Sequence, residues 1–392
     1  MPGPLDGVTV VDFSVMISGP LAAMLLADQG ADVIKVESPG LGDLMRYLGT
    51  QRNGMTGIFA NCNRGKRSIV VDLKHRDGRD LVGRLVAHAD VLIQNFRPGA
   101  MERLGLGYDE VHATNPSLIY VSISGYGPDG PNSNRRVYDN VIQAASGVAA
   151  VQTDPATGHP QMMRNLVCDK VTAYTAAQAI TAALFARERG RAQGQHITLA
   201  MLDSAIAFLW PDAAMDAAIV GDGAQRTPTI GSNYAVTQLA DGFVAGSAVS
   251  DAEFRGWCTA LGHPEVADDE RFATLPARSA NIAALVSLMR GYAAETLVSD
   301  FLRLAREHDV PAAAVNSLAD LPDDPQVRHN EVFVDRQHPI AGLLREPRPA
   351  PRFSDTPAVI SRPAPGYSAD ADEIARSVGL DPVALRAAGV IV

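Results

Sequence analysis

Short runs of β-branched residues alternate with helical segments along residues 8–199. Val8–Phe13 and Asp32–Glu37 are the first two such runs, and both are typical of buried strands, because strands of a parallel sheet are apolar on both faces. The Ala- and Leu-rich segment between them ends near Gly30, a residue type common at helix C-termini. A strand, a helix and a second strand form a right-handed βαβ unit. The order predicts a doubly wound α/β domain with a mostly parallel sheet.

The same alternation continues toward the middle of the chain. Pro20 suits the first turn of the first helix, which predicts Ser18 or Gly19 as its cap. Further strands are predicted at residues 67–73, 90–96, 117–124 and 195–199, and further helices at 78–89, 100–104, 138–150, 169–189 and 201–218.

A chain of 392 residues is too long for one ordinary core, so more than one domain is expected. A Gly-rich break at residues 221–228 precedes a predicted hairpin and three helical stretches, at 251–261, 278–292 and 295–308. From residue 320 the chain becomes Pro-rich. We predict a large α/β domain at 1–222, a smaller α+β domain at 223–322, and a segment at 323–392 that returns to complete the large domain.

Composition narrows the function classes. The formal net charge of -10 disfavours a nucleic-acid partner. No apolar run approaches the ~20 residues that span a bilayer, and no secretory signal pattern is seen at the N-terminus. Three scattered cysteines without a CxxC pair favour a reducing compartment, here the cytoplasm. The nine histidines include no HxxxH or HxH pair, so we expect no metal site.

The loop after the first strand lacks GxGxxG, which argues against a nicotinamide cofactor. Several cations nevertheless fall near predicted strand ends, where open α/β sheets bind ligands. They support an anion site, although ordinary solvated surface is the alternative. These residues are Arg64, Lys66, Arg67, Lys74, Arg97, Arg103, Arg135 and Arg136.

One carboxylate, Asp169, begins a long Ala-rich helix and follows Cys168. Local sequence allows two interpretations of Asp169: a first-turn carboxylate that complements the helix dipole, or a covalent nucleophile. Cys168 is either a thiolate nucleophile or a buried structural residue. Asp139 starts another helix, where a capping role is the ordinary explanation.

Several segments, taken in order, resemble the family III CoA-transferases. This group includes the formyl-CoA:oxalate and carnitine CoA-transferases and, as a branch, the α-methylacyl-CoA racemases. The matching segments are Pro4–Phe13 with Gly19-Pro20, Gly30–Glu37, Gly42-Asp43, Asn61–Ser68, Asp90–Gly99, Gly125–Pro128, Asp139–Gly147 and Asp241-Gly242.

The resemblance implies an enzyme that moves CoA from an acyl-CoA donor to a carboxylic acid, through an aspartyl anhydride and an aspartyl–CoA thioester. Coenzyme A is then a substrate, no metal is needed, and the chain forms an interlocked homodimer. The family's catalytic aspartate falls on Asp169. Residues that resemble its CoA site are Ile17, Ser18, Leu73, Lys74, Asn95, Phe96, Arg97, Arg103, Arg136, Tyr138 and Asp139.

Three departures from the family pattern bear on function. Ser38 stands where some relatives carry a basic residue, and the glycine-rich flap of the formyl-CoA enzyme has no counterpart beyond residues 246–250. The racemase branch carries a His where this chain has Tyr138. Because racemisation needs a second acid/base group opposite the aspartate, transfer is favoured. An acyl-CoA racemase and a non-catalytic acyl-CoA-binding protein are the alternatives, and the acids themselves cannot be read from the sequence.

Overall fold

The computed structural model describes residues 2–227 and 229–392, which form two compact units. One unit contains the residues up to Gln225 together with Glu331–Val392, and the other contains Arg226–Asn330. The predicted domain junctions after residues 222 and 322 stay predictions.

The larger unit is built on a six-stranded sheet in the order β5-β2-β1-β6-β7-β8, in which all neighbouring strands are parallel. The predicted doubly wound parallel sheet is therefore confirmed. Strand order reverses between β1 and β6, which is where open sheets of this kind bind ligands. The strands are β1 (Thr9–Asp12), β2 (Asp32–Glu37), β3 (Gln51–Arg52), β4 (Met55–Thr56), β5 (Lys66–Val70), β6 (Val91–Gln94), β7 (Ile119–Ser124), β8 (Gln195–Ala200), β9 (Thr237–Gln238), β10 (Phe243–Gly246), β11 (Ala312–Ala314), β12 (Phe333–His338) and β13 (Gly342–Pro347).

Helices cover both faces of the large sheet and make up most of the smaller unit. They are α1 (Ser18–Asp28), α2 (Gly57–Asn63), α3 (Arg76–Ala87), α4 (Ala100–Arg103), α5 (Tyr108–Thr114), α6 (Asp139–Ser146), α7 (Val148–Val151), α8 (Val167–Glu188), α9 (Met201–Ala213), α10 (Met215–Ala218), α11 (Asp251–Ala260), α12 (Leu275–Ala280), α13 (Ile282–Ala293), α14 (Val298–Glu307), α15 (Pro325–His329), α16 (Ala371–Ser377) and α17 (Pro382–Ala387).

Two hydrophobic cores hold these layers together. On one face of the sheet, α1, α6, α8 and α9 bury residues such as Ala23, Ile142 and Ile180. On the other face, α3 and α5 pack with α16 and α17, so Ile374 from near the C-terminus lies in the same core as Leu92 of β6. The residues that follow the smaller unit thus complete the larger one.

The smaller unit contains a three-stranded antiparallel sheet in the order β11-β10-β9. Its core is formed by Val244 and Phe301, with Trp257 packed against it. The prediction of a smaller α+β domain is confirmed in fold class.

Four details of the predicted elements are wrong. The predicted helix 278–292 is divided at Asn281. The predicted helix 138–150 is divided at Gly147, whose φ of 94° lies outside the helical region. The predicted helix 201–218 is divided at Ala214, whose φ of -95° and ψ of 20° lie outside the helical region, and Pro211 within its first part lacks the N–H for one helical hydrogen bond. The antiparallel pair β12–β13 lies within the Pro-rich segment, where no strand was predicted.

Within the described ranges no helix is long and apolar enough to cross a membrane. The same residues contain no group of three or more His, Cys, Asp or Glu that could hold a metal ion.

Candidate active site

Asp169 lies in the first turn of α8 and is partly buried. Its backbone N–H donates a 3.0 Å hydrogen bond to Oδ2 of Asp139, which is the first residue of α6. Ser18, at the start of α1, lies beside the carboxyl group of Asp169, and its hydroxyl and backbone N–H stabilise the ionised form. The N-termini of α1, α6 and α8 therefore meet around Asp169.

Burial raises the pKa of Asp169 to about 6. The negative charge of Asp139 acts in the same direction, and the hydrogen bonds from Ser18 act in the opposite one. At neutral pH the group is ionised, yet it is more basic than an ordinary aspartate. A partly buried carboxylate of raised basicity is suited to nucleophilic attack on an acyl group.

Asp139 is only 2% exposed, and both of its carboxylate oxygens are engaged inside the protein. Oδ1 accepts a 2.6 Å hydrogen bond from Nε2 of Gln143. Gln143 also bonds Met163 through that residue's N–H, at 2.9 Å, and through its carbonyl, at 3.2 Å. Asp139 and Gln143 thus attach the chain that enters α8 to α6, which fixes the position of Asp169.

The loop between β1 and α1 is held by side chains from three other segments. Asn95 accepts the Val15 N–H at 2.9 Å and donates to the Val15 carbonyl at 2.7 Å. Asp43 accepts the Met16 N–H at 3.1 Å, and Nζ of Lys35 donates to the Ser14 carbonyl at 2.9 Å. Met16 has a φ of 65°, a costly conformation that persists only where the surroundings hold it.

The predicted cap of α1 is wrong. The helix begins at Ser18, the cap position is Ile17, and neither supplies a side-chain cap. The Ser18 hydroxyl is used at Asp169 instead. Gly19 allows this arrangement, because a Cβ atom there would lie 2.2 Å from Cβ of Ser14.

A set of buried ion pairs lies among the elements that support this loop. Lys35 pairs with Asp43 at 2.9 Å, and Lys66 pairs with Asp12 at 2.8 Å. Burial lowers the pKa of Lys66 to about 8. A buried ion pair that loses one partner leaves an uncompensated charge, so each pair restrains the loop strongly.

This network corrects part of the predicted anion site. Arg64 and Lys66 are buried and form ion pairs with Asp28 and Asp12, so they are not available to a ligand. Arg67 bonds Asp32 and Glu373. All three come at the beginning of β5 or just before it, so their backbones are not at the carboxyl edge.

Five predicted cations are exposed: Lys74, Arg97, Arg103, Arg135 and Arg136. None of these five side chains forms an ion pair with another described residue. Lys74 and Arg97 follow β5 and β6, and Arg103 ends α4. They provide positive charge at the end of the sheet where ligands bind.

The other residues predicted for the CoA site differ in how far their side chains are buried. Leu73 and Phe96 are partly buried against the core beneath α3. Ile17 is buried, and Tyr138 is 62% exposed directly before α6. The side chain of Asn95 uses both polar ends on Val15. Cys168 is buried, and burial together with the charge of Asp139 raises its pKa to about 12, so the thiolate is disfavoured.

Sequence reasoning did not single out Lys35, Asp43 or Gln143. A lysine within the apolar run Asp32–Glu37 was the available signal, because a charge inside a buried strand requires a partner. Nothing comparable identified Gln143.

The family model described as CoA-transferase family III matches residues 5–371. A succinate–glutarate CoA-transferase of Agrobacterium fabrum is 37% identical over 92% of each chain. A succinyl-CoA–D-citramalate CoA-transferase of Chloroflexus aurantiacus is 34% identical over 95% of this chain and 93% of the relative.

Solved structures give the same result at the level of fold. A CAIB/BAIF family protein from Brucella suis has a TM-score of 0.86 and 35% identity, over 96% of this chain and all of that one. Rv3272 from Mycobacterium tuberculosis has a TM-score of 0.81 and 31% identity, over 94% and 98% of the two chains.

Proposed function

The chain belongs to CoA-transferase family III and is an enzyme that transfers coenzyme A, and on this basis we propose that Asp169 carries the transferred groups covalently. The observation that carries the proposal is the carboxylate itself. It is partly buried, has a pKa raised to about 6, and is held by Ser18 and Asp139.

The reaction then proceeds in two halves. In the first, an Asp169 oxygen attacks the thioester carbon of the donor, the C–S bond breaks, and CoA leaves as a thiolate. The thiolate attacks the Asp169 carbonyl of the resulting anhydride, which releases the donor acid and leaves an aspartyl–CoA thioester. In the second half the acceptor carboxylate attacks this thioester and displaces CoA. The thiolate then attacks the acceptor acyl carbon and frees Asp169. Covalent catalysis divides one difficult exchange into easier steps.

The proposed CoA site surrounds this carboxylate on the larger unit. Lys74, Arg97, Arg103 and Arg136 contact the phosphate groups, since they are exposed and carry no ion pair with a described residue. Leu73, Phe96 and Tyr138 supply apolar and aromatic contact, while Ile17 and Ser18 line the approach to Asp169. Asn95 and Asp139 do not contact CoA directly, because their polar atoms are already bonded within the protein. They hold the backbone of Val15 and of Asp169, respectively.

Short dicarboxylic acids are the proposed substrate class. The support comes from relatives whose names combine succinyl-CoA or succinate with glutarate, D-citramalate or mesaconate. A screen of succinyl-CoA against these acids, with monocarboxylic acids of equal length as controls, tests the class. Faster transfer to the monocarboxylic acids would contradict it.

The proposed assembly is a homodimer. Large apolar side chains lie exposed along α8 and α9 and after α10: Phe185, Phe208, Trp210, Ile219 and Val220. Exposed apolar patches of this kind mark protein–protein contacts. Sedimentation analysis that finds only monomers at micromolar concentration would contradict the assembly.

A cytoplasmic location stays a prediction.

Substitution of Asp169 tests the mechanism. Asp169→Asn keeps the size and an acceptor oxygen for Ser18 but removes the nucleophile, so CoA transfer is expected to fall by at least a thousandfold. Full transfer activity in this variant would disprove the covalent role.

The racemase alternative is tested separately. A racemase incorporates solvent deuterium at the α-carbon of the acyl-CoA without any acceptor acid, and we expect no such incorporation.

A further inference from the structure

Three polar side chains form a hydrogen-bonded row across neighbouring strands of the large sheet. They are Gln94 at the end of β6, Ser122 in β7 and His196 in β8. Nε2 of Gln94 donates to Oγ of Ser122 at 2.9 Å, and Oγ of Ser122 lies 2.8 Å from Nε2 of His196. Oε1 of Gln94 accepts the backbone N–H of Phe96 at 2.8 Å. The row therefore ends on the loop that follows β6.

Chemistry fixes one hydrogen bond of the row and allows a matching direction for the other. The amide nitrogen of Gln94 can only donate, so the oxygen of Ser122 accepts there and its hydroxyl hydrogen is available for His196. In that arrangement His196 accepts through Nε2, as a neutral ring with its proton on Nδ1. Removal of either Ser122 or the acceptor on His196 leaves the Gln94 amide free to turn away from Phe96.

Aromatic packing fixes the ring of His196. Tyr108 of α5 stacks on it with ring centroids 4.7 Å apart, and Tyr120 of β7 meets it edge-on at 5.2 Å. Neither of these contacts reaches the loop after β6 directly. The stacked ring provides a fixed end for the row.

A cavity of about 280 Å³ adjoins both the row and the loop, with Phe96, Arg97, Pro98 and Gly99 in its wall. The loop is thus not packed tightly against the sheet on this side. Where packing is absent, a hydrogen bond to the backbone carries more of the restraint.

We propose that Ser122 and His196 are positioning residues for coenzyme A, which act by holding Gln94 against the backbone of Phe96 and thereby set the loop that carries Phe96 and Arg97. This inference rests on the proposed function, which places those two residues at the CoA site. Ser122 and His196 themselves do not contact the reacting atoms.

The test uses the full-length chain, with coenzyme A as the probe in titration calorimetry and with steady-state transfer kinetics. Ser122→Ala and His196→Ala are expected to raise the Kd for CoA and the KM for acyl-CoA by roughly threefold to tenfold, the effect of one lost neutral hydrogen bond. The kcat value is expected to change by less than about twofold, because Asp169 is untouched.

Two matched variants separate positioning from general damage. His196→Gln retains an acceptor near the place of Nε2 and is expected to restore most of the affinity. Thr198→Ala removes a hydroxyl from the same strand and the wall of the same cavity but lies outside the row, so it is expected to leave Kd, KM and kcat unchanged.

Arg97→Ala distinguishes failure of this inference from failure of the proposed function. If Arg97→Ala weakens CoA binding while Ser122→Ala and His196→Ala bind like the unaltered chain, the positioning role is disproved and the CoA site stands. If Arg97→Ala has no effect on binding either, the proposed CoA site is wrong and the inference fails with it. Equal losses in Thr198→Ala and Ser122→Ala would also overturn the inference.

Discussion

The backbone N–H of Asp169 donates a 3.0 Å hydrogen bond to the carboxylate of Asp139. This single contact does two things to the candidate nucleophile. It fixes the first turn of α8, and it places a second negative charge near the Asp169 carboxyl group, where it adds to the rise in pKa caused by burial. Asp139 therefore influences both the position and the pKa of Asp169.

Asp139→Asn tests this link. Loss of the negative charge lowers the pKa of Asp169, so the acid limb of the kcat/KM profile, expected near pH 6, is predicted to move to lower pH. The kcat/KM at its optimum is expected to fall by roughly tenfold. An asparagine has only one acceptor oxygen, so its NH₂ group faces one of the two donors, the Asp169 N–H or the Gln143 amide, and that hydrogen bond is lost. Asp77→Asn removes an exposed surface charge and is the control. An unmoved acid limb in Asp139→Asn would show that Asp139 does not influence the ionisation.

A raised pKa also has a consequence for stability. Asp169 binds a proton more readily in the folded state, with a pKa of about 6 against the ordinary 3.8, so its contribution to stability falls as pH rises through this interval and stays low above it. Asp169→Asn removes this penalty. At pH 8 the variant is expected to exceed the unaltered chain in free energy of unfolding by roughly 1 to 3 kcal/mol.

The measurement is chemical denaturation of both proteins at several pH values. The difference between them is expected to shrink as pH falls from about 6 to about 4, because Asp169 then binds a proton in the folded state first, and to stay small below about 4, where the carboxyl group is protonated in both states. A difference of the same size at pH 4 and pH 8 would mean that ionisation of Asp169 is not its cause.

Gly19→Ala tests the close approach of α1 to the preceding loop. The added Cβ would lie 2.2 Å from Cβ of Ser14, so the start of α1 must shift and the Ser18 donors must move away from Asp169. We expect a loss of more than tenfold in kcat and a lower melting temperature. Gly83→Ala is the matched control: it lies in α3, and an added Cβ meets no atom within 4 Å. There the same change is expected to stabilise the protein slightly. Equal behaviour of the two variants would contradict the account.

The main fold of the larger unit was predictable because its signal is local. Each strand is a short apolar run and each connecting helix has its own periodicity, so β1, α1 and β2 follow from neighbouring residues. The β12–β13 pair was not predictable in this way. β12 has no regular alternation of buried and exposed residues, and both strands lie within a Pro-rich segment. The carbonyl of Pro347 in β13 accepts a hydrogen bond from Arg64, far away in the chain.

The family resemblance predicts Asp169 as the nucleophile, but the residues that support the candidate site could not be read from the sequence. The pairing of Asp12 with Lys66, for example, joins residues far apart in the chain. Sequence position alone placed Lys66 near a strand end as a ligand contact, and only the folded arrangement shows it buried with a partner. Asp139 was predicted as a CoA-site residue from the family resemblance, and the folded arrangement shows both of its carboxylate oxygens bonded within the protein.

The central claim is that the Asp169 carboxyl group itself enters the reaction, and isotope transfer tests it most directly. With an acceptor acid whose carboxylate carries ¹⁸O, each turnover through an anhydride leaves one acceptor oxygen on the enzyme carboxylate. Mass spectrometry of the peptide that contains Asp169, after many turnovers in ordinary water, is predicted to show ¹⁸O in that side chain. An unlabelled Asp169 in an enzyme that has completed the transfer would contradict the covalent mechanism.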